Sequence, residues 1–255
     1  MAKYSRGFDL DAAAAHLAKR DRKFGKWIER IGPITPEGWH KPFETVDSLA
    51  RSILYQQLSG KAAATIVGRV EVAIAAKKLS HLALARVDDP ALRACGVSGN
   101  KVLALRDLAG RAERGEIPTS RELLSLHEDE IIKRLVAVRG IGRWTVEMML
   151  MFRLGRPDIL PIDDLGVRKG AQVLDKLEIM PTPKELALRG EKWGPYRTLA
   201  GLYLWRIADS IAEAKSEAKA KVVVKGKSAA GKTLAAKKVA AKKVAAKKKV
   251  KRSQD

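Results

Sequence analysis

Apolar residues recur at helical spacing along most of the chain. Val46, Leu49, Ile53, Leu54 and Leu58 fall on one face of a helix over residues 44–58, which Ser59-Gly60 brings to an end. The Ala-rich stretch 61–76 continues as a second helix. Thr182-Pro183-Lys184-Glu185 has the T-x-x-E capping-box pattern, with Pro at the first helical position, and residues 196–214 form another long, apolar-rich helix. No period-two alternation stands out, nor any Asn-Gly or Asp-Gly hairpin turn. The pattern predicts an all-α fold of about ten helices joined by short loops.

The pattern stops near residue 214. Residues 215–255 hold fourteen Lys and one Arg against Glu217 and Asp255, a net of +13 out of the chain's +21. Within them, residues 235–250 read AAKKVAAKKVAAKKKV, a short-period repeat without an aromatic residue. Such a stretch buries too little apolar surface to offset its ordering entropy, so a disordered arm is expected after a folded part spanning residues 1–214. Its charge suits counterion-releasing contact with nucleic-acid phosphates. A solubilising tail, or one that binds an acidic protein, is the blander alternative.

With 46% apolar residues in 255 there is material for one core or two small ones. The single cysteine, Cys95, excludes an internal disulfide, a Cys-ligated zinc site and an iron–sulfur cluster, and it is expected to be a small buried hydrophobe. The start, MAKYSRGFDL, has no signal-peptide core, and no apolar run approaches the roughly 18–20 residues of a membrane span. These features point to a soluble protein of a reducing compartment: cytoplasmic and nucleoid-associated in a bacterium, nuclear in a eukaryote.

Two stretches carry candidate chemistry. In Leu135-Val-Ala-Val-Arg-Gly140-Ile141-Gly142-Arg143-Trp144-Thr145 a helix over 128–136 runs into Gly-Ile-Gly, and a new helix begins at once. The glycines permit a tight turn, and the amides opening the second helix favour a phosphate. Leu135 and Ile141 would lock the two helices together. A dinucleotide-binding reading fails, because no strand precedes the turn and no third glycine follows at the right place. Further on, Leu160-Pro161-Ile162-Asp163-Asp164-Leu165 ends an apolar segment in two carboxylates before a helix. Either can be its N-cap; a carboxylate facing a site would stabilise positive charge on a reacting sugar.

Together, Leu-x-x-x-x-Gly-Ile-Gly-x-x-Thr and Leu-Pro-x-Asp-Asp resemble the helix-hairpin-helix (HhH-GPD) DNA glycosylase superfamily. Ile53-Leu-Tyr-Gln56-Gln57-Leu-Ser59, Trp193-Gly-Pro-Tyr-Arg197 and Tyr203-Leu-Trp205 narrow the resemblance to its alkylpurine (3-methyladenine) DNA glycosylase II branch, over residues 8–214. The resemblance implies a two-lobed helical fold that flips a damaged nucleotide from double-stranded DNA into a cleft between the lobes. The chain starts too close to the helical core to include the N-terminal β-domain that some relatives carry, so the compact form is expected.

The resemblance also assigns roles. Asp164 matches the catalytic aspartate, with Asp163 left to cap or brace the loop. Glycosylase-lyases of the superfamily place a nucleophilic Lys two residues after the second hairpin glycine; here that residue is Trp144, so a monofunctional hydrolase is expected. Arg143 cannot substitute, being permanently protonated. Trp144 and Trp205 match aromatic positions at the base pocket, Met148 stands where a relative has a pocket Tyr, and Trp39 is a further candidate lining. Core packing is the ordinary alternative for each tryptophan. Gln57, or its neighbour Gln56, matches the wedge that fills the gap left by the flipped nucleotide; helix capping is the alternative. Phosphate contacts are expected from Gly140, Gly142, Arg143 and Thr145. The carbonyls of Val136, Val138 and Ile141 are candidate ligands of a structural Na+ or K+, and no cofactor is needed for the chemistry. A monomer acting on alkylated 3-methyladenine or 7-methylguanine follows. Glycosylases for hypoxanthine, ethenoadenine or 1-methyladenine, and a non-enzymatic architectural or lesion-marking module, are the alternatives.

Overall fold

Side-chain caps start most of the helices. Asp9 accepts from the amides of Asp11 and Ala12, Asp21 from Lys23 and Ser59 from Ala62. Thr182 and Glu185 form the reciprocal capping box that their spacing predicts. The computed structural model describes residues 6–36, 38–39 and 41–211. In the unit spanning residues 1–206 the helices are α1 (Leu10–Arg20), α2 (Arg22–Ile31), α3 (Thr45–Tyr55), α4 (Gly60–Ala73), α5 (His81–Leu84), α6 (Asp89–Ala94), α7 (Gly99–Glu113), α8 (Glu128–Leu135), α9 (Arg143–Phe152), α10 (Leu165–Asp175) and α11 (Pro183–Gly190). Residues 197–206 are helical and close the unit as α12. A second unit runs from 207 to 255, and its residues 207–211 are helical.

No strand occurs among the described residues, so the all-α reading stands. Two helix groups make the two lobes. α3 to α7 pack together, with α7 lying against α3 and α5. Leu49, Ile53 and Leu54 of α3 and Leu105 and Leu108 of α7 are fully buried there; burying a side chain of this size is worth roughly 1.5–3 kcal/mol. The other lobe joins the two ends of the unit. α1 and α2 pack on each other and on α10 and the turn Glu191–Trp193, while the Tyr203 hydroxyl of α12 donates to the Gly32 carbonyl at 3.1 Å. The α8–α9 hairpin lies between the two groups in the chain.

α3 ends at Tyr55, three residues before the expected end. Gln56 leaves helical geometry (ψ 132°) and Gln57 takes a left-handed φ of 57°, so the apolar period runs on through Leu58 while the backbone turns. Ala75 is also left-handed, at φ 52°, and ends the second helix early. The last predicted helix begins at residue 197; its residues 212–214 and the basic segment 215–255 lie outside the described residues. Among those described, no helix is long and apolar enough to cross a membrane.

Candidate active site

The hairpin is built from its apolar residues outward. Leu135, Val138 and Ile141 are buried, which fixes α8 against α9. Gly140 turns the chain at φ 79°, and a Cβ there would meet Ala104 of α7 at 3.4 Å. Gly142 is the N-cap of α9. Among the described residues, the amides of Gly140, Gly142, Arg143 and Trp144 have no backbone partner, and they cluster where the helix dipole is positive. The Thr145 amide corrects the expected set. It donates to the Gly142 carbonyl at 3.0 Å, because the first turn of α9 tightens on its cap. The Arg143 side chain is 59% exposed and uses Nε on Glu147 Oε1 at 2.9 Å.

Asp164 sits at the start of α10 and does two jobs. Its Oδ1 accepts from the Val167 amide at 2.9 Å, which makes Asp164 itself the N-cap. Of the two roles expected for Asp163, to cap or to brace the loop, capping is corrected: Asp163 lies one residue before the N-cap and is exposed. Two indoles complete the arrangement. Trp205 Nε1 donates to Oδ1 and Trp144 Nε1 to Oδ2, each at 2.8 Å. Among the described residues, three of roughly four lone-pair sites are thus filled, and one on Oδ2 remains free.

Trp205 reaches the carboxylate because Gly166 leaves room. A Cβ on Gly166 would stand 2.7 Å from Trp205 Cδ1 and 3.1 Å from Asp164 Oδ1. One turn later, a Cβ on Gly170 would run into the Leu204 carbonyl, so α10 and α12 approach backbone to backbone. The other face of Trp205 is supported by Phe152, whose ring is nearly parallel at 5.9 Å. Glu147, buried on α9, adds to the negative field. Burial pushes its carboxyl up, Arg143 offsets part of that, and Asp163 and Asp164 push it further up.

A cavity of about 410 Å³ opens between α3 and α9, lined by Ser48, Arg51, Ser52 and Tyr55 on one side and by Thr145, Met148, Met149, Phe152 and Arg153 on the other. Met148 is among its lining residues. Trp144 and Trp205 are not; they address Asp164, although Trp205 supports the cavity through Phe152. Trp39 is a further correction. It is 4% exposed, packs on Phe8, and donates Nε1 to the Met151 carbonyl at 2.6 Å, so it belongs to the core beneath α9. Sequence reasoning missed Ser48, Ser52 and Tyr55. Their signal was their spacing at i, i+4 and i+7, on the face of α3 away from Leu49 and Ile53.

The two glutamines differ. Gln56 Nε2 donates to the Gly140 carbonyl at 2.8 Å, which ties the end of α3 to the hairpin. Gln57 is exposed, and its side chain makes no hydrogen bond among the described residues. At the hairpin, the carbonyls of Val136 and Ile141 accept no backbone hydrogen bond among those residues, and that of Val138 accepts one from the Ile141 amide at 3.0 Å. Acceptor capacity suited to a monovalent cation is present. No group of three or more His, Cys, Asp or Glu among them could hold a metal ion.

Residues 50–195 match the HhH-GPD superfamily of base excision DNA repair proteins. The chain belongs to this family. Among HhH-GPD relatives, the DNA-3-methyladenine glycosylase 1 of Schizosaccharomyces pombe is 35% identical over 198 residues, 77% of this chain and 87% of that one. A solved structure of the 3-methyladenine DNA glycosylase from the same yeast, in complex with abasic DNA, aligns with a TM-score of 0.68 at 35% identity, over 76% of this chain and 95% of that one. The DNA-3-methyladenine glycosidase of Bacillus halodurans aligns at 0.74 with 37% identity, over 81% of this chain and 94% of the other. The two-lobed helical HhH-GPD fold expected from the glycine and aspartate motifs is the fold observed.

Proposed function

We propose that the chain is a monofunctional DNA glycosylase of the alkylpurine (3-methyladenine glycosylase II) type, releasing 3-methyladenine and 7-methylguanine from duplex DNA. The carrying observation is the Asp164 carboxylate, held by two indole N–H groups and its own helix amide, with Trp144 where a lyase has its amine. The names of the relatives support the substrate class.

On this reading, the free amides of Gly140, Gly142, Arg143 and Trp144 and the Arg143 guanidinium hold a phosphate. Na+ or K+ on the carbonyls of Val136, Val138 and Ile141 would add positive charge there and take no part in bond breaking. The flipped base enters the cavity between α3 and α9, where Tyr55, Met148 and Phe152 offer polarisable faces to an electron-poor ring. Gln57 fills the gap left in the stack. The alkylated base is cationic, so it departs neutral with the electron pair of the N-glycosidic bond. Asp164 stabilises the positive sugar and orients water through the free site on Oδ2; the water oxygen bonds to C1′, and its proton passes to Asp164 or to solvent. With no amine at Trp144, the product is an intact strand with an abasic site. A monomer suffices, since every group named lies on one chain.

The test is base release from DNA methylated on its purines, for wild type and Asp164→Asn, with alkali added to half of each sample. Free methylpurines from wild type alone, and strand breaks only after alkali, are expected. Breaks without alkali would overturn the monofunctional assignment. Tight binding without release of any base would overturn the enzyme in favour of a binding module.

A further inference from the structure

One face of α7 touches both elements that would meet DNA. Lys101, Ala104 and Asp107 follow one another at i, i+3 and i+6. Lys101 Nζ donates to the carbonyls of Leu54 and Gln56, both at 2.8 Å, at the end of α3. Ala104 lies beneath Gly140. Asp107 Oδ2 accepts from the Arg139 amide of the hairpin loop at 2.8 Å and pairs with Arg111 at 3.0 Å. The Gln56 side chain closes the arrangement on the Gly140 carbonyl.

We propose that Lys101 is a positioning residue for the wedge. Its ammonium clamps the carbonyls on either side of Tyr55, and so fixes the peptide that enters Gln57 in its left-handed conformation. This rests on the reading of Gln57 as the wedge given under Proposed function. Carbonyls at a helix C-terminus lack an amide one turn ahead; here the Leu58 amide reaches the Tyr55 carbonyl at 3.3 Å, and among the described residues no backbone amide beyond α3 reaches those of Leu54 and Gln56. A left-handed backbone at a residue other than glycine is disfavoured and persists only where its surroundings impose it. α3 itself is already anchored by its buried Leu49, Ile53 and Leu54, so the clamp acts on the turn alone. Lys101 spends its donors on the protein, unlike a lysine held out for phosphate. Because Asp107 of the same helix holds the hairpin loop, α7 sets the spacing between wedge and phosphate grip.

The test uses the full chain and a duplex in which a tetrahydrofuran abasic analogue faces 2-aminopurine, whose fluorescence reports the wedge against the orphaned base. It needs no base excision, so it does not depend on the substrate assigned. Lys101→Met is expected to lose most of the fluorescence response and to weaken binding about tenfold, the lower end of what the loss of its two charge-assisted hydrogen bonds allows. Lys101→Arg, which keeps the charge and donors, is expected to retain the response. Gln57→Ala is expected to lose it, and the double variant to be no worse than Gln57→Ala, since one residue acts through the other. A full response in folded Lys101→Met, or losses that add in the double variant, would overturn the positioning role. A full response in Gln57→Ala would instead overturn Gln57 as the wedge. Thermal melting of each variant identifies a folding defect. Should Lys101→Met fail to fold, Lys101→Gln carries the same expectation, and a full response from it overturns the proposal.

Discussion

Asp164 receives three N–H donors from three separate stretches of chain, and two of them are indoles whose rings lie at the candidate site. This separates two roles of a tryptophan that substitution by alanine would merge. Trp205→Phe keeps a ring on Phe152 but removes the donor to Oδ1; Trp144→Phe does the same for Oδ2. A hydrogen bond to a charged group is worth roughly 1.5–3 kcal/mol, so each variant is expected to slow single-turnover base release by about ten- to a hundredfold. Binding to an abasic analogue should be little changed. Equal losses in release and binding would mean that the ring, not the N–H, is what matters. The carboxylate pair ahead of a helix was legible in the sequence, and the family resemblance singled out Asp164. The indole donors were not, because Trp205 meets Asp164 across 41 residues and only through the space left by Gly166. Trp39 misled for a related reason: its partner, the Met151 carbonyl, is 112 residues away, and nothing local distinguishes a buried indole from an exposed one.

At the scale of elements, the α10–α12 contact is the tightest constraint on the site. Gly170→Ala would force the Leu204 carbonyl away and is expected to cost roughly 1–3 kcal/mol of stability by denaturant unfolding, as overpacking does. Gly166→Ala presses on Trp205 and Asp164 instead, so its larger effect should appear in base release. A Gly166→Ala variant with wild-type turnover would show that Trp205 can shift without releasing its carboxylate. Much of the helix pattern was readable from sequence: the capping box at Thr182 and the glycine hairpin lie where the pattern puts them, and the α3 stripe does as far as Leu54, while Leu58 falls in the turn beyond and is exposed. The cavity between α3 and α9 was not. It exists only where two helix faces from distant segments meet, and Ser48, Ser52 and Tyr55 carry no motif of their own.

Across the whole molecule, acid groups join α1 and α2 to the C-terminal helices. Asp21 is buried, which pushes its carboxyl up, but hydrogen bonds from Arg189, Trp193 and Lys192 outweigh that and hold it well below the ordinary range. Asp175 and Asp158 are lowered in the same way, burial opposing, by Arg189 with Lys23 and by Arg197. A lowered folded pKa stabilises above the unfolded value of about 3.9 and is lost as pH falls through the folded one. Unfolding free energy should therefore hold near neutrality and fall steeply below about pH 4. Asp21→Asn should cost roughly 3 kcal/mol at pH 7 and flatten that acid limb. An acid limb unchanged in this variant would count against the network. DNA affinity should fall with salt, and less steeply once residues 215–255 are removed, since each phosphate left unneutralised reduces the slope by about 0.9. The pairing of the two ends has a consequence during synthesis. Contacts such as Asp21–Arg189 and Gly32–Tyr203 span 168 and 171 residues, so the lobe bearing Asp164 cannot close until α12 has left the ribosome. The α3–α7 lobe is free to form well before that. A nascent chain therefore cannot give Asp164 its Trp205 partner until the 41 residues that separate the two have been added.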